Sequence, residues 1–148
     1  MTQTYSLNEY NKENMARAIG KSLPVSFKQS IEICNYIRNK KLNTAKKWLN
    51  EVAAGKRAVP FRRFIMDMGH KAKIGPGRFP AKTSSEILNL IDQVEANAQF
   101  KGLNTSNLTI IHINANKGAT ISRSGRKRGM KAKRTNIEIV VKESAEKK

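Results

Sequence analysis

The amino-acid sequence predicts an α+β fold: a strand, three helices, then two antiparallel strands forming a long protruding basic hairpin, with the helices packed on one face of a small sheet. Three observations predict it. Apolar residues recur at helical spacing between Phe27 and Ala98, the period changes to two after Asn107, and the segment joining the last two strands, Lys117 to Arg134, carries eight Lys or Arg and no Asp or Glu.

The polar stretch from Met1 to Asn14 reads as a flexible N-terminal segment. The first strand covers Met15 to Gly20, where Met15, Arg17 and Ile19 alternate with two alanines. Pro24 precedes a capping-box pattern, Ser26 with Gln29, which opens a helix carrying Phe27, Ile31, Cys34 and Ile37 and running to about Asn39. A second helix follows Asn43 as its cap, presents Ala45, Trp48, Leu49 and Val52 on one side with Lys46 and Lys47 on the other, and stops at Gly55. From Gly55 to Lys82 the frequent Pro and Gly make an irregular basic connector, within which Phe61 to Met68 has the pattern of a short helix behind Pro60.

The third helix has the strongest signal. Thr83 and Glu86 form a capping-box pattern, Ile87, Leu90, Ile91, Val94 and Ala98 make the apolar stripe, and Gly102 ends it. Then Thr109, Ile111, Ile113 and Ala115 alternate with Leu108, Ile110 and His112, and Ile137, Ile139 and Val141 with Glu138, Val140 and Lys142. The simplest pairing is an antiparallel hairpin over 108–142 with its loop at 117–134. A single domain over 15–142 is expected, with a flexible tail at 143–148.

Charge points to the partner. The chain has 148 residues, 39% of them hydrophobic, so one modest core is expected; 29 Lys and Arg against 11 Asp and Glu leave +18. Like charges crowded on so small a body repel, and a polyanion relieves the repulsion. Nucleic acid fits, since each neutralised phosphate releases condensed counterion, whereas a membrane-surface protein concentrates its charge on an amphipathic helix that is not evident here. Cys34, the only cysteine, sits among Ile31, Ile33 and Ile37 and reads as a buried free thiol in a reducing compartment. Neither a secretory signal nor a run of transmembrane length is visible, so a cytoplasmic location is expected.

Two basic fields are the candidate RNA-binding residues. The first is Lys117, Arg123, Arg126, Lys127, Arg128, Lys131, Lys133 and Arg134 on the hairpin connection. A connection of this length is functional or disordered, and a run of cations is by itself often only a solvated loop. The absence of any acidic partner favours RNA contact. Its strands are expected to continue as a two-stranded ribbon, with Gly118, Gly125 and Gly129 supplying turns and close approach. The second field is Lys56, Arg57, Arg62, Arg63, Lys71, Lys73, Arg78 and Lys82, with His70 beside Lys71. Phe61, Phe64 and Phe79 are interleaved with it. Aromatics beside Arg stack on unpaired bases, but Phe61 and Phe64 at spacing three are assigned to the core.

Enzymatic constellations are lacking. His70 and His112 are far apart in sequence, and the cysteine lies on an apolar helix face, which indicates neither a tetrahedral metal site nor a Cys-His pair. Gly75-Pro76-Gly77-Arg78 lacks the spacing and following Lys-Ser or Lys-Thr of a phosphate-binding loop. Trp48, at helical spacing with Leu49 and Val52, is assigned to the core rather than to a ligand platform. No catalytic residue, metal or cofactor is expected.

Several local strings, in their order and spacing, carry a family resemblance: Ala16-Arg17-Ala18, Val25-Ser26-Phe27-Lys28, Pro60-Phe61 ahead of His70-Lys71, Gly77-Arg78-Phe79-Pro80-Ala81-Lys82, Ala96-Asn97-Ala98 with Lys101-Gly102-Leu103, and Asn136-Ile137-Glu138-Ile139-Val140. From about Ala16 to Glu143 the chain resembles the universal large-subunit ribosomal protein family twenty-two, in its archaeal and eukaryotic style. The resemblance implies a hairpin reaching the wall of the nascent-peptide exit tunnel and a globular part near the tunnel's mouth. Its implied partners are large-subunit ribosomal RNA, neighbouring large-subunit proteins and the nascent peptide near the hairpin tip; neither a membrane nor a homo-oligomer is implied. Where family hairpin tips often carry Pro-Arg-Ala and Gly-Arg, this chain has Ser124-Gly125-Arg126-Lys127-Arg128-Gly129.

The rival reading is a DNA-binding or chromosome-coating protein, which +18 and two leading helices also suit. A DNA reader concentrates its base-reading residues on one helix, whereas the densest cations here lie on a loop and a connector. A hydrolase acting on RNA is a distant third.

Overall fold

The computed structural model describes residues 5–144, apart from the side chain of Lys127. In chain order the elements are β1 (Met15–Leu23), α1 (Phe27–Ile37), α2 (Leu42–Ala53), β2 (Val59–Pro60), β3 (His70–Lys71), β4 (Gly75–Arg78), α3 (Ala81–Phe100), β5 (Leu108–Lys117), β6 (Ile121–Ser122), β7 (Lys131–Ala132) and β8 (Thr135–Glu143). The main sheet has the order β1-β8-β5 with both pairings antiparallel. Helix α3 packs on β1 and α2, and α1 packs on β5. The expected α+β class is therefore observed.

The core forms where the apolar stripes meet the inner sheet face. Ile33 and Ile37 of α1, Leu49 and Val52 of α2, and Ile87, Ile91 and Val94 of α3 have no exposed area, nor do Ile110, Ile113, Ile137, Ile139 and Val141 of the sheet. Ala16 and Ala18 of β1 are buried too, and small side chains there admit α3, whose Asn97 Nδ2 donates to the Arg17 carbonyl at 3.0 Å.

Strand β5 corrects the simple alternation. Leu108 and Ile110 are buried, then Ile113 and Ala115, two phases that no regular strand can point the same way. The register resolves the conflict: Ile110 faces Val141 and His112 faces Val140, leaving Ile111 as the extra residue of a bulge. On its other edge β5 is covered by the link between α1 and α2, where Asn39 N donates to Ile110 O and Ile110 N to Lys40 O, both at 3.0 Å. That pairing ends α1 at Ile37, before the expected Asn39.

Both capping boxes are also corrected. Ser26 occupies the N-cap of α1 without a side-chain capping bond, and α3 starts at Ala81 behind Pro80 rather than behind Thr83. The partners are taken by tertiary structure: Thr83 Oγ1 donates to Gln29 Oε1 at 3.1 Å, joining α3 to α1. Helix α2 likewise begins at Leu42, with Lys41 at its N-cap instead of Asn43. Lys46 does not stand on a free face, because its Nζ bridges Asp92 (2.6 Å) and Glu95 (2.5 Å) of α3.

Contacts begin ahead of β1. Tyr5 and Tyr10 hold the Arg17 guanidinium between their rings, 4.4 and 4.3 Å from the centroids, and Lys101 Nζ bonds to Tyr10 Oη (2.6 Å) and the Met15 carbonyl (2.8 Å). At the other end β8 runs through Glu143, one residue past the expected boundary, and Ser144 Oγ donates to the Asn107 carbonyl at 2.8 Å. The rest of the expected tail, 145–148, lies outside the described residues.

Candidate nucleic-acid interface

The connector between α2 and α3 is more ordered than its composition predicts. β2, β4 and β3 form a second antiparallel sheet, pairing Val59 with Arg78, Pro60 with Gly77, His70 with Pro76 and Lys71 with Gly75. Strands of two to four residues, rich in Gly and Pro, give no period-two signal in the sequence. The short helix expected over Phe61 to Met68 is absent; those residues form bends and turns.

Glu32 of α1 organises that bend. Its carboxylate, 2% exposed, accepts from the backbone N–H groups of Arg62 (3.2 Å), Arg63 (2.9 Å) and Phe64 (2.8 Å). A buried carboxylate needs such donors, and a bend outside any helix or sheet needs an acceptor. The clamp turns the Arg62 and Arg63 side chains to solvent and holds the next residue, Ile65, at φ +55, a left-handed conformation unusual for a β-branched residue. Phe61 is buried as expected, while Phe64 is half-buried against Phe27, with ring centroids 6.4 Å apart.

The expected RNA-binding side chains of this field divide into free and committed ones. Lys56, Arg62, Arg63, His70, Lys71, Lys73, Arg78 and Lys82 are exposed. Arg57 is committed: its Nε lies 2.5 Å from Glu51, its Nη1 3.3 Å from Tyr36 Oη, and its guanidinium 5.1 Å from the Trp48 ring centre. Trp48 is not a core residue. It is half-buried, stacked on Tyr36 with centroids 5.0 Å apart, and faces a groove.

The second field is a ribbon. Beyond Lys117, which pairs with Thr135, Gly118 N donates to the Arg134 carbonyl at 2.9 Å; β6 and β7 then pair Ile121 with Ala132 and Ser122 with Lys131. A Cβ on Gly118 would lie 3.0 to 3.1 Å from Arg134 backbone atoms, tighter than an ordinary contact, so glycine favours the close approach of the two segments there. Gly125, at φ +72, turns the tip. Lys117, Arg123, Arg126, Arg128, Lys131 and Lys133 are exposed, and none of them has an ion-pair partner among the described residues. Arg134 is half-buried at the ribbon's base, its Nη1 3.5 Å from the Ser22 carbonyl. Lys127, also expected to bind RNA, has its side chain outside the described set.

The two histidines stay apart. His70 is exposed on β3. His112 Nε2 lies 2.9 Å from Ser6 Oγ and 3.2 Å from Glu138 Oε1, and Ser6 Oγ also bonds directly to Glu138. A Ser-His-acid relay needs hydroxyl and carboxylate on opposite ring nitrogens; here both address Nε2. Burial works to raise the Glu138 pKa, but hydrogen bonds from the Ser6 hydroxyl and N–H and from His112 outweigh it, and the carboxyl titrates below its ordinary range. Burial pushes the Cys34 thiol up to about 12, the state of an inert core group. Among the described residues, no group of three or more His, Cys, Asp or Glu is placed to hold a metal, and no helix is long and apolar enough to cross a membrane.

Several acids are thus spent inside the fold, on Lys46, Arg57, the Glu32 clamp and the Ser6 cluster, while most described cations of both fields face outward. The chain is 46% identical to the large ribosomal subunit protein uL22 of Methanocaldococcus jannaschii over 118 residues, 78% of this chain and 76% of that one. It is 39% identical to uL22 of Archaeoglobus fulgidus over 122 residues (80% and 79%) and 40% identical to that of Thermofilum pendens over 121 residues (81% and 80%). Residues 18–142 match the family model described as ribosomal protein L22p/L17e, and the chain belongs to that family.

Proposed function

We propose that the chain is a structural, non-enzymatic component of the large subunit of the cytoplasmic ribosome, binding large-subunit ribosomal RNA through both basic fields. The ribbon lines the nascent-peptide exit tunnel, with the nascent peptide beside its tip, and the globular part lies near the tunnel's exit among neighbouring large-subunit proteins. The observation that carries this reading is the ribbon, whose exposed cations have no acidic partner among the described residues and so leave their charge for phosphate. The names of the relatives, large ribosomal subunit proteins, support the same assignment. The DNA-binding reading needs cations concentrated on a recognition helix, and most of the exposed ones lie on the ribbon and the connector instead.

The test shortens the ribbon. Replacing residues 118–134 by Asn-Gly keeps Lys117 opposite Thr135 and supplies a two-residue turn suited to a hairpin. The variant should fold and bind ribosomal RNA more weakly through Arg62, Arg63, Lys71, Lys73 and Arg78. Chemical protection of RNA lining the tunnel should vanish while protection near its mouth persists. Equal loss at both places, or full-length chain sedimenting apart from large subunits, would overturn the assignment.

A further inference from the structure

A groove of about 750 Å³ opens between α1, α2 and the β2-β4-β3 sheet. This volume is typical of small-ligand sites. One wall is the Tyr36–Trp48 stack; Phe79, 41% exposed, stands in the lining from the connector. The grouping is not visible in the sequence, because Tyr36, Trp48 and Phe79 come from three separate parts of the chain.

The charge around the rings is positive. Arg57 and Lys40 lie 5.1 and 5.7 Å from the Trp48 ring centre and Lys71 Nζ 5.6 Å from that of Phe79, and Lys56 and Arg62 also contribute to the lining. The groove's carboxylate, Glu32, is turned to the three backbone N–H groups of the bend and is buried, so it offers little to an incoming cation. Asn35, exposed in the same lining, carries both a donor and an acceptor able to meet a base edge. Aromatic faces ringed by cations suit a flat, uncharged ring attached to an anion. An acidic peptide would use the cations and leave the rings idle, and a duplex, with its bases already stacked, could not enter.

We propose that this groove is a binding site for an unpaired RNA nucleotide, its base stacked on the exposed Phe79 ring within reach of Trp48 and its phosphates held by Lys56, Arg62 and Lys71. The proposal rests on the RNA-binding reading and adds a single-strand site to it. It assigns to the groove a stacking contact with a base, beside the phosphate contacts of the exposed cations.

Trp48 is the only tryptophan, so its fluorescence reports the groove directly. The full-length chain is titrated with a dye-labelled single-stranded RNA octamer, with a blunt RNA duplex of the same length and with poly-glutamate, anisotropy measuring total RNA binding. The octamer should quench Trp48, and the duplex should bind without quenching. Phe79→Leu, which keeps apolar bulk at an exposed position, should weaken the quenching phase on the order of 5- to 150-fold, and Phe79→Tyr should restore it. Octamer binding without a Trp48 response, quenching by the duplex, equal quenching by poly-glutamate, or Phe79→Leu behaving as wild type would each overturn the nucleotide site while leaving RNA binding intact. Failure of both RNAs to bind would instead overturn the RNA-binding reading itself.

Discussion

Glu32 Oε1 lies 2.9 Å from the backbone nitrogen of Arg63, so a buried carboxylate on α1 sets the direction of an exposed guanidinium thirty-one positions later. Glu32→Gln keeps the shape but places an amide N–H₂ where one of three donors now finds an oxygen. An unsatisfied buried donor costs about 1–3 kcal/mol. Urea unfolding should show a loss of that size, together with weaker RNA binding as Arg62 and Arg63 lose their fixed direction. Unchanged stability would show that the bend is held by something else.

Stability should fall in acid through Glu138. Its folded pKa lies below its ordinary value, so its contribution is present above the unfolded pKa of about 4.3 and is lost as pH falls from there through the folded value. Ser6→Ala removes a hydroxyl donor, raises the folded pKa and should shrink that contribution. The thermal midpoint followed from pH 7 to 3 should therefore drop less steeply in Ser6→Ala than in wild type, from a lower starting value.

Cys34 should be unreactive until the chain unfolds. With the thiol at about 12, the thiolate fraction at pH 8 is on the order of 10⁻⁴, against about 0.2 for an ordinary cysteine, before steric exclusion is counted. Labelling by a thiol reagent should be at least ~10³-fold slower in native protein than in urea. Comparable rates would mean that the α1 face opens readily.

Ile91→Ala and Trp48→Ala should behave differently. Ile91 has no exposed area, and truncating it should cost about 2–5 kcal/mol. Trp48 is half-buried at a groove wall, where the space left by truncation is open to water rather than a closed cavity, so its cost should be smaller. Thermal denaturation of the two variants side by side checks the ranking, and equal losses would return Trp48 to the core.

The stripe of α3 was legible because periodicity is local: Ile87, Leu90, Ile91, Val94 and Ala98 repeat often enough to name the buried face without any partner. The alternation in β8 was legible for the same reason. Ends and short strands were not. Gln29 and Thr83 each look like half of a helix cap, and each is claimed by the other across 3.1 Å. β2, β3 and β4 exist only because distant residues pair, and the phase break at Ile111 acquires meaning only against Val140 and Val141.

The sequence by itself determined the class of fold and the excess of cations on two segments, since hydrophobic period and composition need no knowledge of what lies opposite. Only the tertiary structure decided which of those cations remain free. Arg57 and Arg134 are drawn back into the fold, while Arg62 and Arg63 are turned outward by Glu32. Trp48 was likewise moved from an expected core position to a groove wall by Tyr36 of another helix. The physical reason is range. Hydrogen bonds and ion pairs act over about 3 to 4 Å, so what holds a side chain depends on which other element arrives beside it.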